Sequence, residues 1–188
     1  MDKEKIERAI RDIIEAVGDD PEREGLLDTP RRVARMLEDI LSGIREDPAK
    51  AIKVYEVKNQ DEMIIVRDIP FFSVCEHHLL PFFGRVHIAY IPKDDRITGF
   101  SNLVRIVEIF SKRLQIQERF TTQIADTIMQ VLKPMGVLVV VEARQLCMEM
   151  QGVRKQGTYF TTSAMRGAFR REVTRLEALS LIGKEKGG

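Results

Sequence analysis

The sequence predicts an α+β fold in which helices cover one face of a small antiparallel sheet. Apolar residues recur at helical spacing in several stretches, and short alternating or β-branched runs lie between those stretches. These segments follow one another as helices, two strands, two helices and two strands, which is the order expected of an α+β protein. A single sheet of this kind has free edges and an uncovered surface, so we also expect self-association.

Two helices and two strands are predicted in the first half of the chain. In the first helix, isoleucines recur three and four residues apart, and Gly18 is a plausible end. The second helix begins at Thr29-Pro30, where a hydroxyl can cap it and proline needs no hydrogen-bond acceptor. The strands are predicted from their β-branched composition at residues 61–67 and 85–91.

The second half repeats this pattern. One helix is predicted from Ser101, and a second from about 117 to 132, before Lys133-Pro134. The apolar run 137–141 has the length of a strand and leads directly to Cys147. A β-like segment at 157–162 and a closing helix at about 170–181 complete the set.

The composition indicates one globular domain and excludes several classes of function. The 188 residues are 44% hydrophobic and 31% charged, which excludes a disordered chain. With 30 basic and 29 acidic residues, the net charge of +1 favours neither nucleic acid nor a membrane as partner. The charged N-terminus does not read as a signal peptide, so we expect a cytoplasmic protein. We predict a single domain over 1–188, with a helical part at about 1–55 and a core at about 60–182.

The strongest local feature is Cys75-Glu76-His77-His78, joined by Cys147 after the later strand. Zn²⁺ prefers sulfur and nitrogen ligands, and three protein ligands leave the fourth position of a catalytic zinc open. The alternative is that the two cysteines are buried thiols and the histidine pair is a polar turn. His87 lies in an alternating run, and we interpret it as a strand residue and not as a ligand.

Seven blocks spread over about residues 5 to 180 form one ordered set. They are D-T-P-R-R-V-A-R-M, S-V-C-E-H-H-L-L-P-F-F-G, H-I-A-Y-I-P-K-D, G-F-S-N-L-V-R-I-V, R-L-Q-I-Q-E-R-F-T-T-Q-I-A, C-M-E-M-Q-G-V and T-T-S-A-M-R-G. Together these blocks resemble the GTP cyclohydrolase I family. The resemblance implies a tunnelling fold, in which the sheets of several subunits join into a barrel around a channel. It also implies a homodecamer with sites at subunit interfaces.

The resemblance implies a reaction and a set of site residues. GTP would be hydrolysed at C8 of guanine by a zinc-activated water, giving formate and, after rearrangement of the ribose, 7,8-dihydroneopterin triphosphate. Cys75, His78 and Cys147 would hold Zn²⁺, and His77 would transfer protons. The positions that match the family's substrate contacts are Gln117 and Glu118 for guanine, and Ser101, Arg105 and Arg32 for the triphosphate.

Three site positions depart from the family's pattern. Gln145 occupies the place of a second catalytic histidine, and glutamine cannot shuttle a proton at neutral pH. Asn102 stands where lysine is usual, and Gln151 stands where arginine is usual. Each missing charge-assisted contact to phosphate is worth about 1.5–3 kcal/mol. We therefore hypothesise that zinc and guanine recognition persist while phosphate binding and the late proton transfers are altered.

The sequence is compatible with three functions. The leading one is hydrolysis of a guanine nucleotide's imidazole ring. The second is a diverged enzyme that acts on a less phosphorylated guanine or pterin compound, or that stops at the ring-opened formamide. The third is a catalytically silent homologue that binds a purine or pterin. The retained metal ligands and Glu118 argue against silence, whereas Gln145 argues for it.

Overall fold

The computed structural model describes residues 1–183, which group into two compact units. The first unit is Met1–Ser42, and the second begins at Gly43. Within the described residues, no helix combines the length and the apolar character needed to cross a membrane.

The first unit is a pair of helices. Helix α1 (Lys3–Ala16) begins after Asp2, whose carboxylate accepts a hydrogen bond of 2.9 Å from the backbone N–H of Lys5. Helix α2 (Thr29–Ile40) packs against α1 and carries proline in its first turn. Both helices confirm the prediction, except that Asp28 holds the cap position and Thr29 is the first helical residue.

The second unit contains two sheets. A two-stranded ribbon pairs β1 (Val54–Glu56) with β4 (Arg96–Thr98). The larger sheet has the strand order β5-β2-β3-β6-β7, and every neighbouring pair is antiparallel except β2 with β5. Its strands are β2 (Ile64–Cys75), β3 (Pro81–Ile91), β5 (Leu114–Gln115), β6 (Gly136–Gln145) and β7 (Tyr159–Gly167).

Helices flank the larger sheet. They are α3 (Phe100–Ser111), α4 (Gln117–Leu132), the short α5 (Leu146–Glu149) and α6 (Glu172–Gly183), and single 3-10 turns lie at Ser42–Arg45, Pro48–Ala51 and Ala168–Arg170. The structure therefore confirms the predicted α+β class with a largely antiparallel sheet. The ribbon and β5 were not predicted, because each consists of only two or three residues.

The main core lies between one face of the sheet and helices α3 and α4. Successive strand residues point to opposite faces, so Val86, Ile88 and Tyr90 of β3 all face these helices and are fully buried. Burial of each large apolar side chain stabilises the fold by about 1.5–3 kcal/mol. Helix α6 packs on part of the opposite face, where Ala178 joins a smaller cluster with Leu138.

Strand β2 contains a β-bulge and extends further than the predicted strand at 61–67. The register with β3 shifts between Val66 and Ile69, where Asp68 has a φ of 61°. The backbone N–H of Asp68 donates to Nδ1 of buried His87 at 3.2 Å, which agrees with His87 as a strand residue. Beyond the bulge the strand continues to Cys75.

The topology brings the two cysteines to one edge of the sheet. Strands β2 and β6 are both antiparallel to β3, so they run parallel to each other and end at the same edge. Cys75 is the last residue of β2, and Cys147 follows the end of β6 by two residues. Two residues that are 72 positions apart in the chain are thereby placed side by side.

Candidate functional site

A group of three potential metal ligands lies at this edge. The ligand atoms of Cys75, His78 and Cys147 all lie within 4.8 Å of one another, and Cys75 Sγ is 4.0 Å from His78 Nδ1. A zinc ion is about 2.3 Å from a sulfur ligand and about 2.0 Å from a nitrogen ligand, so small adjustments would let one ion contact all three. The two thiols are buried and free, and the imidazole is exposed.

The surroundings of Cys147 disfavour its thiolate form. Burial, together with the nearby sulfur of Cys75, raises the pKa of the Cys147 thiol. A cation that binds both sulfurs would stabilise them as thiolates in this buried position. The donor set of two sulfurs and one nitrogen fits Zn²⁺ better than the oxygen-seeking ions Mg²⁺ and Ca²⁺.

A tight turn positions His78 relative to Cys75. The backbone N–H of Leu79 donates to the carbonyl of Cys75 at 2.9 Å, and the N–H of Cys75 donates to the carbonyl of Leu80 at 2.9 Å. Leu79 takes a left-handed conformation with φ of 54°. The chain therefore reverses directly after β2, as expected from the sequence, although Pro81 already begins β3.

An ion pair ties this turn to helix α4. The guanidinium of Arg119 donates to both carboxylate oxygens of Glu76, and its Nε donates to Gln115 at 3.1 Å. Hydrogen bonding from Arg119 lowers the pKa of the Glu76 carboxyl below its usual value. The backbone N–H of Glu76 also donates to the carbonyl of Gln115 at 3.0 Å. The ligand turn and the start of α4 are thus connected by side-chain and backbone bonds.

A pocket of about 320 Å³ opens beside the three ligands. It is lined by Cys75, His77, Gln115, Ile116, Gln117, Glu118, Gln145, Cys147, Met148, Phe160, Thr161 and Thr162. Glu118 is exposed, and among residues 1–183 its carboxylate has no hydrogen-bond or ion-pair partner. The pocket therefore combines the metal ligands, an imidazole and an anionic hydrogen-bond acceptor.

The two glutamines of this pocket contact each other. Nε2 of Gln145 donates to Oε1 of Gln117 at 2.7 Å. Gln117 is only 4% exposed, and its own Nε2 donates to the backbone carbonyls of Val141 at 3.0 Å and Phe160 at 2.8 Å. The side-chain amide of Gln117 is therefore fully engaged within the protein.

The residues expected to hold phosphate lie outside the lining of this pocket. Arg105 forms ion pairs with Glu46 at 2.6 Å and with Glu108 at 3.1 Å. Asn102 donates to Thr98 Oγ1 at 2.9 Å. Gln151 donates to the backbone carbonyl of Cys147 at 3.0 Å.

Two further predicted phosphate contacts are exposed. Ser101 lies in the first turn of α3, two residues after Gly99 at the cap position of that helix. Arg32 lies on α2 in the first unit, where its guanidinium is 3.6 Å from the carboxylate of Asp28. A phosphate-binding role for either residue stays a prediction.

Sequence reasoning missed several residues of the site. Arg119 directly follows the predicted guanine contacts, yet nothing in its local pattern indicated an ion pair across 43 positions with Glu76. Phe160, Thr161 and Thr162 line the pocket from β7. The block T-Y-F-T-T indicated a strand but not which residues would face the ligands.

Comparisons with known proteins agree with this geometry. The family model described as GTP cyclohydrolase I matches residues 6–183. A GTP cyclohydrolase 1 of Carboxydothermus hydrogenoformans is 55% identical over 186 residues, covering 98% of this chain and 97% of the relative. The protein of that name from Pelotomaculum thermopropionicum is 57% identical over 183 residues, covering 97% of each chain. The Bacillus subtilis protein of the same name is 50% identical over 186 residues, covering 98% of each.

Proposed function

This chain belongs to the GTP cyclohydrolase I family, and we propose that it hydrolyses the guanine imidazole ring of GTP to give 7,8-dihydroneopterin triphosphate and formate. The observation that carries the proposal is the convergence of Cys75, His78 and Cys147 at the edge of a pocket that also holds Glu118. A purely structural metal site would have no need of this adjoining pocket.

We propose zinc as the metal. Two cysteines and one histidine supply the sulfur and nitrogen ligands that zinc prefers, and three protein ligands leave one position free for a catalytic water. When bound, zinc would act as a Lewis acid and would make hydroxide available from water near neutral pH.

The side chains around the pocket supply recognition and proton transfer. Glu118 offers an anionic acceptor without a competing partner in residues 1–183, which suits the ring N–H and amino donors of guanine. His77 lines the same pocket and is 64% exposed, so it can reach a bound ring and move a proton there. Gln145 can hold a hydrogen bond but cannot replace histidine in a proton transfer.

We propose that the chain assembles into the homodecamer of the tunnelling fold. The antiparallel sheet with α3 and α4 on one face is the subunit architecture expected for this family. Among the described residues, strand β7 of nine residues lies at the edge of the larger sheet. Large apolar side chains such as Phe72 and Tyr159 are more than half exposed, which supports further burial in an assembly.

One observation favours a second candidate, an enzyme for a guanine compound with fewer phosphates. No lysine or arginine of the described residues lines the pocket, and Asn102 and Gln151 replace two expected cations. Arg105 is already paired with two carboxylates. A site with so few cations available for phosphate would discriminate weakly between GTP, GMP and guanosine.

A product assay tests both candidates. The zinc-loaded protein is incubated with GTP, GMP or guanosine, and formate and oxidised fluorescent pterin are measured. Formate and pterin from GTP support the proposed function. Turnover of GMP or guanosine at a rate equal to or above that of GTP would support the second candidate, and absence of stoichiometric zinc in the purified protein would refute both.

A further inference from the structure

We infer that Gln117 is a positioning residue that orients Gln145, so that the carbonyl oxygen of Gln145 is presented to the pocket as a hydrogen-bond acceptor. The inference rests on the proposed function for the identity of the ligand. The orientation of the two amides follows from the backbone around them.

Backbone carbonyls of two strands hold the side chain of Gln117. Its side chain ends next to the backbone carbonyl of Val141 on β6 and that of Phe160 on β7, and Phe160 pairs with Ala143 of β6. Carbonyl oxygens can only accept hydrogen bonds, so the amide nitrogen of Gln117 must face them. Both of its N–H groups are then used, and its oxygen points away from the two carbonyls.

Gln117 in turn orients the side chain of Gln145. The oxygen of Gln117 lies 2.7 Å from the amide nitrogen of Gln145. Only with its nitrogen on this side can the amide of Gln145 donate a hydrogen bond to Gln117. The opposite orientation would place two oxygen acceptors in contact. The backbone carbonyls therefore determine the orientation of Gln117, and Gln117 determines that of Gln145.

The start of α4 holds this arrangement in place. The hydroxyl of Thr121 donates to the backbone carbonyl of Gln117 at 2.7 Å, and it lies 2.6 Å from the hydroxyl of Thr162 on β7. Gln117 is buried, and its neighbours come from both a helix and two strands. A side chain held at so many points has little freedom to turn towards a ligand.

This orientation leaves the side-chain oxygen of Gln145 free to accept a hydrogen bond. Gln145 lines the pocket, and its oxygen has no hydrogen-bond partner within residues 1–183. It can therefore accept a hydrogen bond from an N–H or O–H group, such as the amino and ring N–H groups of guanine or a ribose hydroxyl. The side-chain amide of Gln117, in contrast, is already bonded to Val141, Phe160 and Gln145.

Hydrogen exchange of the glutamine side-chain amides tests the orientation without any turnover. In zinc-loaded protein labelled with ¹⁵N-glutamine, we expect both Gln117 side-chain protons to exchange about a hundredfold more slowly than those of exposed Gln130. Gln145→His retains a ring N–H for Gln117 and should preserve this protection. Gln145→Glu has no donor at neutral pH and should accelerate the exchange at least about tenfold.

A double-mutant cycle tests the functional part. Gln117→Met should lower kcat/KM for GTP about threefold to tenfold in the native background, and should have no further effect beside Gln145→Met. Losses that multiply would overturn the inference, because Gln117 would then contact the ligand itself. Fast exchange of the Gln117 amide in the native protein would overturn it even if Gln117→Met fails to fold. Protected amides without GTP turnover would support the orientation and refute only the proposed function.

Discussion

Arg119 of α4 forms a two-point ion pair with Glu76, the residue that separates Cys75 from the histidine pair. The pair joins the turn that carries two candidate metal ligands to the helix that carries Glu118. Arg119 therefore fixes the candidate metal ligands relative to Glu118, although it is itself neither a metal ligand nor a predicted substrate contact.

Removal of this ion pair should weaken metal binding. We expect Arg119→Ala to lower the affinity for zinc about tenfold, because residues that orient metal ligands typically contribute this much or more. Competition with a chromophoric chelator measures the affinity. Arg166→Ala is a matched control, since it removes an ion pair between α4 and β7 away from the pocket. Equal affinities of the two variants and the native protein would contradict a positioning role for Arg119.

Added cations should restore discrimination by phosphate. Asn102→Lys and Gln151→Arg place positive charge where the family's pattern has it, and each should strengthen binding of GTP over guanosine by about 1.5–3 kcal/mol if it reaches the phosphates. Isothermal titration with both ligands measures the ratio. Gln130→Arg adds the same charge at an exposed position of α4 and should leave the ratio unchanged. A native protein that already prefers GTP strongly over guanosine would contradict the weakened phosphate site.

Much of the fold could be predicted from the sequence because its helices are long and periodic. Helix α4 was expected at the positions where it occurs, and α2 begins at the predicted Thr29-Pro30. The start of β2 was found, but its continuation to Cys75 was not, because the apolar run on which the prediction depends ends at Val66, next to the bulge at Asp68. Pairing between distant short segments, as in the ribbon, leaves no local pattern.

A close approach of two strands makes Gly84 intolerant of a side chain. A Cβ atom at this position would lie 1.9 Å from the backbone oxygen of Glu142 on β6. We expect Gly84→Ala to destabilise the protein by about 1–3 kcal/mol, because the backbone must shift to relieve the overlap. Thermal or urea unfolding measures the loss. At Gly183, the last residue of α6, no atom of the described residues lies within 4 Å of an added Cβ, so Gly183→Ala should be at least as stable as the native protein.

The first unit contains a carboxyl group with a perturbed titration. The side chain of Arg23 donates two hydrogen bonds to Asp19, and this contact is the largest cause of a fall in the pKa of Asp19 from 3.8 to about 2. A lowered pKa means that the carboxylate stabilises the folded state above about pH 4, and that this contribution is lost as pH falls through 2. Side-chain ¹³C NMR should show a midpoint near 2, and Arg23→Gln should return it towards 3.8. A native midpoint near 3.8 would show that the pair does not persist in solution.

The candidate site could be predicted only in part. The spacing of Cys75, His78 and Cys147 and the resemblance of the surrounding blocks indicated the ligand group that the structure brings together. The engagement of Gln117 could not be foreseen, because it depends on which backbone carbonyls the register of β6 and β7 places beside α4. Side-chain roles that depend on backbone acceptors are not encoded in a local motif.

If this chain opens the guanine ring of GTP at C8, that carbon leaves as formate, and a label at C8 reports the reaction without ambiguity. Zinc-loaded protein is incubated with GTP labelled with ¹³C at C8, and the label is followed by NMR beside a Cys147→Ser control. We expect the label to appear in formate with the native protein and to stay in GTP with the control. Retention of the label in intact GTP by the native, zinc-containing protein would contradict it.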